Sequence, residues 1–154
     1  MGVALLTSPS AVHRPSIVER PWGHEEIFAL VEGKFCGKVL HVSAGHALSL
    51  QYHRQKEEVI SVLQGTARVE IGDSVDSLVE LELHEGDAVH LPPGLIHRVV
   101  AVSDLVLLEA SSTELDDVVR LADEYGREDA AVAIPGQRAL QQAVTTSNSS
   151  GVTS

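Results

Sequence analysis

From about residue 25 to residue 110 the chain is cut at short intervals by turn signals. These fall at Glu32-Gly33, Ala44-Gly45, Gln64-Gly65, Gly72-Asp73, Glu85-Gly86, Pro93-Gly94 and Ser103-Asp104. Glycine and short polar residues support tight reversals, and the runs between them are β-type segments at the spacing of a sandwich or barrel. The expected strands are 26–31, 34–42, 48–53, 57–63, 66–71, 78–83, 88–91, 96–102 and 105–110. No long helix interrupts them. At 154 residues the chain has room for one domain with a real core and not for two ordinary ones.

The pattern changes after Ser111. Thr113 or Ser112 could cap a helix, acidic residues crowd the following turn, and Gly126 could end it, so one helix is expected over 113–126. Leu115, Val118, Val119 and Ala122 would form its packing stripe. Residues 1–18 read as an N-terminal arm and 129–154, rich in alanine, glutamine, serine and threonine, as a flexible tail around the domain at 19–128.

Charge narrows the partners. With 11 lysines and arginines against 22 aspartates and glutamates, the formal charge of -11 repels phosphate backbones, arguing against nucleic acid and anionic membranes. Met-Gly-Val-Ala-Leu-Leu is too short for a signal peptide and no stretch approaches a membrane span, so a soluble cytoplasmic protein is the expectation. The single cysteine, Cys36, cannot form an intrachain disulfide and has no surroundings that would make it a reactive thiol. An edge strand hidden by pairing, with the arm crossing to a second subunit, predicts a homodimer.

Four potential metal ligands fall in two clusters. Gln51, His53 and Glu58 lie between Gly45 and Gly65, and His97 ends the segment Gly86-Asp-Ala-Val-His-Leu-Pro-Pro-Gly-Leu-Ile-His97. Residues two apart on a strand share a face, so Gln51 and His53, and separately His97, Val99 and Ala101, can point into one interior. The polar break Arg54-Gln55-Lys56-Glu57 reads as the turn that brings Glu58 alongside. A divalent cation accepts this nitrogen and oxygen set, although Gln51 is the weakest donor of the four. His13, His24, His41, His46, His84 and His90 have no comparable spacing and read as hydrogen-bonded or surface residues.

The two clusters resemble the paired signature motifs of the cupin superfamily, with Gln51 in place of the first of two paired histidines. The resemblance implies an all-β, single-domain jelly roll, a double-stranded β-helix, here with one short C-terminal helix. A narrower resemblance, over 19–128, is to the C-terminal cupin domain of the bifunctional mannose-6-phosphate isomerase and mannose-1-phosphate guanylyltransferase family. Arg20-Pro-Trp-Gly23, Ser49-Leu-Gln-Tyr-His53, Gly65-Thr-Ala-Arg-Val69, Leu91-Pro-Pro-Gly-Leu-Ile-His-Arg98 and Asp116-Asp-Val-Val-Arg120 carry it. Nothing in the chain resembles a nucleotide-sugar pyrophosphorylase. The chain departs from the second cupin motif at Ala101, often asparagine there, and from the narrower family at Arg54-Gln55-Lys56, usually histidine-rich, and at Val59-Ile60, usually histidine and tryptophan. These departures imply a reshaped pocket.

By this resemblance Gln51, His53, Glu58 and His97 bind a divalent metal, zinc first, with manganese, iron, cobalt or nickel also compatible. The implied activity interconverts an aldose and a ketose phosphate, mannose 6-phosphate and fructose 6-phosphate, through an enediol. The alternatives are a metal-binding cupin with dioxygenase, lyase or epimerase chemistry, and a non-catalytic module binding a sugar or other metabolite. Glu109, a carboxylate in the apolar run Leu105-Val-Leu-Leu-Glu109-Ala, is the expected base. Lys38 shares a strand face with Leu40 and Val42 and could reach an anionic phosphate or an enediolate oxygen. Arg98 and Arg20 complete the expected substrate-binding set; Arg98 matches the family although alternation next to His97 turns it to the other face.

Overall fold

The computed structural model describes residues 12–128. Among the described residues, eleven strands form two antiparallel sheets packed face to face. They are β1 Ser16–Arg20, β2 Gly23–Val31, β3 Phe35–Val42, β4 Leu50–Tyr52, β5 Glu58–Gln64, β6 Ala67–Gly72, β7 Val79–Leu83, β8 Ala88–Leu91, β9 Ile96–Ala101, β10 Leu105–Ser111 and β11 Val119–Ala122. One sheet runs β1-β2-β3-β10-β5-β8 and the other β11-β4-β9-β6-β7. This is the cupin-like jelly roll, and each of the nine expected strands is present.

Alternation sets what faces inward. In β10, Leu105, Leu107, Glu109 and Ser111 are buried; in β3, Cys36, Lys38, Leu40 and Val42; in β5, Glu58, Ile60 and Val62. One end of the interior is thereby apolar, with Trp22, Val42, Val62, Ala67, Val69, Ala101, Leu105 and Leu107 in one cluster. The hydrophobic effect is concentrated there, at roughly 25 cal/mol for each Å² of apolar surface removed from water. Further along the same strands the inward positions turn polar, at Lys38, Glu58, Glu109 and His97. The β5–β6 reversal depends on Gly65, whose φ is +90° and whose Cα faces the Asp104 carbonyl so closely that a Cβ would stand 2.2 Å from that oxygen.

Two expectations are corrected. The helix expected over 113–126 does not form: 113–118 is a turn and Val119–Ala122 is β11, paired with β4. Its stripe has a period of 2, with Val119 and Leu121 buried beside Leu50 and Ile96. The residues that look like a helix cap and an acidic first turn serve other segments. Thr113 Oγ1 accepts the Gly33 amide at 3.0 Å. The Asp117 carboxylate accepts the amides of Arg54, Gln55 and Lys56 at 3.0, 2.6 and 2.8 Å. In addition, the expected arm ends sooner than residue 18, because Ser16–Arg20 pairs residue for residue with β2. The expected tail at 129–154 and the first eleven residues lie outside the described residues.

Asp117 therefore ties the turn before β11 to the loop before β5. Burial works against its charge, but the three amides outweigh it and hold the carboxyl below the ordinary aspartate value. Its contribution is complete above the unfolded value of about 3.9 and falls away as pH drops from there through the lower folded value. Replacing Asp117 with alanine is expected to lower stability at pH 7 by about 2 kcal/mol. In urea melts the gap between the two proteins should narrow at pH 3; an unchanged gap would show that the carboxylate is not what secures the loop.

Candidate metal centre

The antiparallel pairing of β4 with β9 sets Gln51 directly across from His97. His53 follows one residue after β4, and Glu58 opens β5 on the facing sheet. His53, Glu58 and His97 are all buried, with exposures of 3 %, 4 % and 3 %. The Nε2 atoms of His53 and His97 both lie 3.2 Å from Glu58 Oε1, and the donor atoms of the three residues all fall within 4.8 Å of one another.

The hydrogen bonds on the far sides of the rings decide what these atoms can do. His53 Nδ1 lies 2.5 Å from the Asp117 carbonyl and His97 Nδ1 lies 2.9 Å from the Leu95 carbonyl. A carbonyl only accepts, so each Nδ1 carries the proton, and in a neutral ring Nε2 presents a lone pair. Two lone pairs then converge on a carboxylate oxygen. His97 Nε2 is buried with no hydrogen-bond partner among the described residues. Such a cluster of acceptors fits a cation at its centre. Bonds of about 2.0–2.2 Å in tetrahedral geometry separate ligand atoms by about 3.3–3.6 Å, close to the 3.2 Å found here. Ring N–H groups held by backbone carbonyls are also the usual support of metal-binding histidines. Gln51 lines the same cavity, and its Oε1 accepts the Ser49 hydroxyl at 2.6 Å.

A ladder of alternating charge runs from this cluster across the cavity wall. Lys56 Nζ donates to Glu58 Oε2 at 2.6 Å and to Glu109 Oε1 at 2.7 Å. Lys38 Nζ lies 4.0 Å from Glu109 Oε2 and 3.7 Å from Glu25 Oε2, and Arg20 Nη2 donates to Glu25 Oε2 at 3.2 Å. The two central carboxylates are driven apart. Burial alone would raise Glu58, but the hydrogen bond from Glu109 and the charge of Lys56 outweigh it and hold it far below the carboxylate range. Glu109 is pushed up to about 7, by burial first and then by its hydrogen bond to Glu58 and that group's negative charge, against the pull of Lys56 and Lys38. Burial also opposes the charge on Lys56, yet Glu109 and Glu58 lift it above the ordinary lysine value. Burial raises the Cys36 thiol as well, consistent with an inert cysteine.

Glu109, Lys38 and Arg20 thus share one cavity with the four expected ligands. Arg98 does not join them. Its Nε donates to Glu70 Oε2 at 2.7 Å, across the β6–β9 pair, because the residue after an inward His97 faces outward. Lys56, Glu25, Arg120 and Arg127 line the cavity in addition to the expected set. Glu25 carries a legible signal, a charge two residues before buried Ile27 on the same strand face. Lys56, two residues before Glu58, carries none, because its stretch reads as a solvated turn. The cavity has a volume of about 90 Å³, room for several water-sized groups beside the histidines. Leu40, Ile60, Leu91 and Leu107 make its apolar walls.

Residues 8–123 match the family described as Mannose-6-phosphate isomerase C-terminal. Among curated relatives, the chain is 36 % identical over 115 residues to the xanthan biosynthesis protein XanB of Xanthomonas campestris pv. campestris, covering 71 % of this chain and 23 % of that one. It is 33 % identical over 121 residues to the mannose-1-phosphate guanylyltransferase of Escherichia coli, covering 75 % and 24 %. It is also 33 % identical over 128 residues to the alginate biosynthesis protein AlgA of Pseudomonas aeruginosa, covering 79 % and 25 %. The chain spans about a quarter of the length of these relatives. Solved structures of the same fold include the capsular polysaccharide assembling protein CapF of Staphylococcus aureus, with a TM-score of 0.65 at 16 % identity over 73 % of this chain and 33 % of that one. Another is oxalate decarboxylase of Bacillus subtilis, with a TM-score of 0.62 at 18 % identity over 70 % and 30 %. Among the described residues no helix is long and apolar enough to cross a membrane. The family match and the shared fold agree with the jelly-roll topology and its paired motifs: the chain belongs to the mannose-6-phosphate isomerase C-terminal family, as a cupin domain.

Proposed function

We propose that the protein is a metal-dependent aldose-ketose isomerase acting on a hexose phosphate, with mannose 6-phosphate and fructose 6-phosphate as the pair. The observation that carries this reading is Glu109: a buried carboxyl poised at about 7, beside a second carboxylate held ionised and on the wall of a cavity that three arginines also line. Two carboxylates with separated proton affinities are the pattern of an acid-base site.

In the reaction, ionised Glu109 takes the proton from the carbon next to the carbonyl, and the electron pair released forms the enediol. Glu109 then returns the proton to the former carbonyl carbon, while the proton of the adjacent hydroxyl passes to the former carbonyl oxygen, which leaves the carbonyl one position along. Lys38, anchored between Glu25 and Glu109, donates to the developing oxyanion. Arg20, with Arg120 and Arg127 on the same cavity, meets the phosphate. Lys56 fixes Glu58 and Glu109 relative to each other. His53, Glu58 and His97, with Gln51 beside them, would hold the divalent ion; two imidazoles and a carboxylate suit zinc, and other first-row ions also fit. When bound, such an ion supplies polarisation of the substrate oxygen.

One observation favours the second reading, another small-molecule chemistry at the same centre. Ile60 is buried on the cavity wall where the family usually carries tryptophan, so the pocket offers substrate an aliphatic surface.

Elemental analysis of the purified protein should find a divalent metal, with the content falling by about one equivalent in Glu58→Gln and His97→Ala. A protein that is metal-free and cannot be reloaded would overturn the centre. A coupled assay for mannose 6-phosphate isomerisation should show turnover that a chelator abolishes. Glu109→Gln should keep its metal and lose roughly 10²- to 10⁴-fold in kcat/KM. Metal-loaded protein that turns over no hexose phosphate would sink the isomerase reading and leave the second one standing.

A further inference from the structure

The outer face of the six-stranded sheet carries a second histidine-carboxylate cluster. Glu25 and Ile27 of β2 and Lys38, Leu40 and Val42 of β3 point inward, so His24, Glu26 and His41 point out. The β2–β3 register sets His24 directly across from His41. Their rings stack with centroids 4.4 Å apart and planes within 13°. Both rings turn Nε2 toward the same atom: Glu26 Oε1 lies 3.5 Å from His24 Nε2 and 3.3 Å from His41 Nε2. From these positions we infer a binding site for an imidazole-preferring divalent ion, formed by His24, His41 and Glu26 and separate from the interior cavity.

The distances suit three ligands of one ion. N–H···O hydrogen bonds cluster near 2.9–3.0 Å and extend to about 3.2 Å, and both contacts here are longer. They match instead the spacing of about 3.3–3.6 Å between ligand atoms on a tetrahedral zinc. All three donor atoms lie within 4.8 Å of one another, as they do in the interior triad. The side chains are about one-third exposed, leaving the rings free to close on an ion and leaving coordination positions open to water. The backbone beneath is fixed: Gly23 packs so tightly on His41 that a Cβ there would stand 1.9 Å from the His41 carbonyl oxygen. Both rings also border an open groove of about 270 Å³, with Ser43, Gln64 and Asp104 on its other sides, through which an ion or an external ligand can approach.

Two imidazoles and one carboxylate select zinc, copper or nickel over calcium or magnesium, which prefer all-oxygen cages. A bound ion would link β2 to β3 on the face opposite Glu25 and Lys38. This site does not depend on the interior centre, and the test distinguishes them.

Metal-stripped full-length protein is titrated with Zn²⁺ against a chromogenic chelator. The double variant His24→Asn with His41→Asn should bind one equivalent fewer than the unaltered chain, or bind that equivalent at least tenfold more weakly, and Glu26→Gln should weaken the same equivalent. Equal stoichiometry and affinity in the unaltered chain and the double variant would overturn the site, whatever the interior centre does. A second measurement needs no variant. Sub-stoichiometric Cu²⁺ should broaden the NMR ring signals of His24 and His41 before those of exposed His13, His84 and His90, and the reverse order would overturn the proposal.

Discussion

The pair of carboxylates buried inside this sandwich depends on the Lys56 ammonium lying between Glu58 and Glu109. Two carboxylates buried against apolar walls repel each other and lose the stabilisation of water. One lysine at 2.6 and 2.7 Å compensates both, and its unequal surroundings separate their proton affinities. Glu58 can then face the histidines as a full anion while Glu109 gains and loses its proton close to neutral pH. Lys38 and Glu25 extend the same compensation to the cavity wall, where Arg20 joins it.

The sheets make this possible by keeping the two kinds of interior apart. Along β10 the inward side passes from Leu105 and Leu107 to Glu109 and Ser111; along β5 it passes from Val62 and Ile60 to Glu58. Since β5 and β10 are antiparallel partners, their apolar ends coincide and so do their polar ends. The apolar end holds the sheets together by burial, and the polar end is free to serve chemistry.

How far the amino-acid sequence reveals this arrangement depends on how local each signal is. A strand's inner face is a property of a few neighbouring residues, so the strands, the convergence of His53, Glu58 and His97, and the inward Glu109 are all legible. The same rule turns Arg98 outward, against its match to the family, and the Glu70 pair bears the rule out. Signals that act at a distance mislead. Thr113 has the chemistry of a helix cap and Asp117 that of an acidic first turn, but their oxygens are taken by Gly33 and by residues 54–56, which are neighbours only after folding. With Thr113 and Asp117 engaged elsewhere, the segment 119–122 follows the alternation of buried Val119 and Leu121 and pairs as a strand. Lys56 is obscured for a related reason: a lysine in a polar stretch next to Gln55 and Glu57 looks solvated until the carboxylate of β10 is placed beside it.

Asp117 joins two tasks in one residue. Its side chain secures the loop that leads to Glu58, while its backbone carbonyl fixes the ring of His53. The turn before β11 is thus a structural partner of the centre even though it contributes no ligand atom. Any ion that binds better to the ordered pair of His53 and Glu58 also favours the docked state of that turn, and by reciprocity docking favours the ion. Occupancy of the centre and attachment of the last strand form one linked equilibrium.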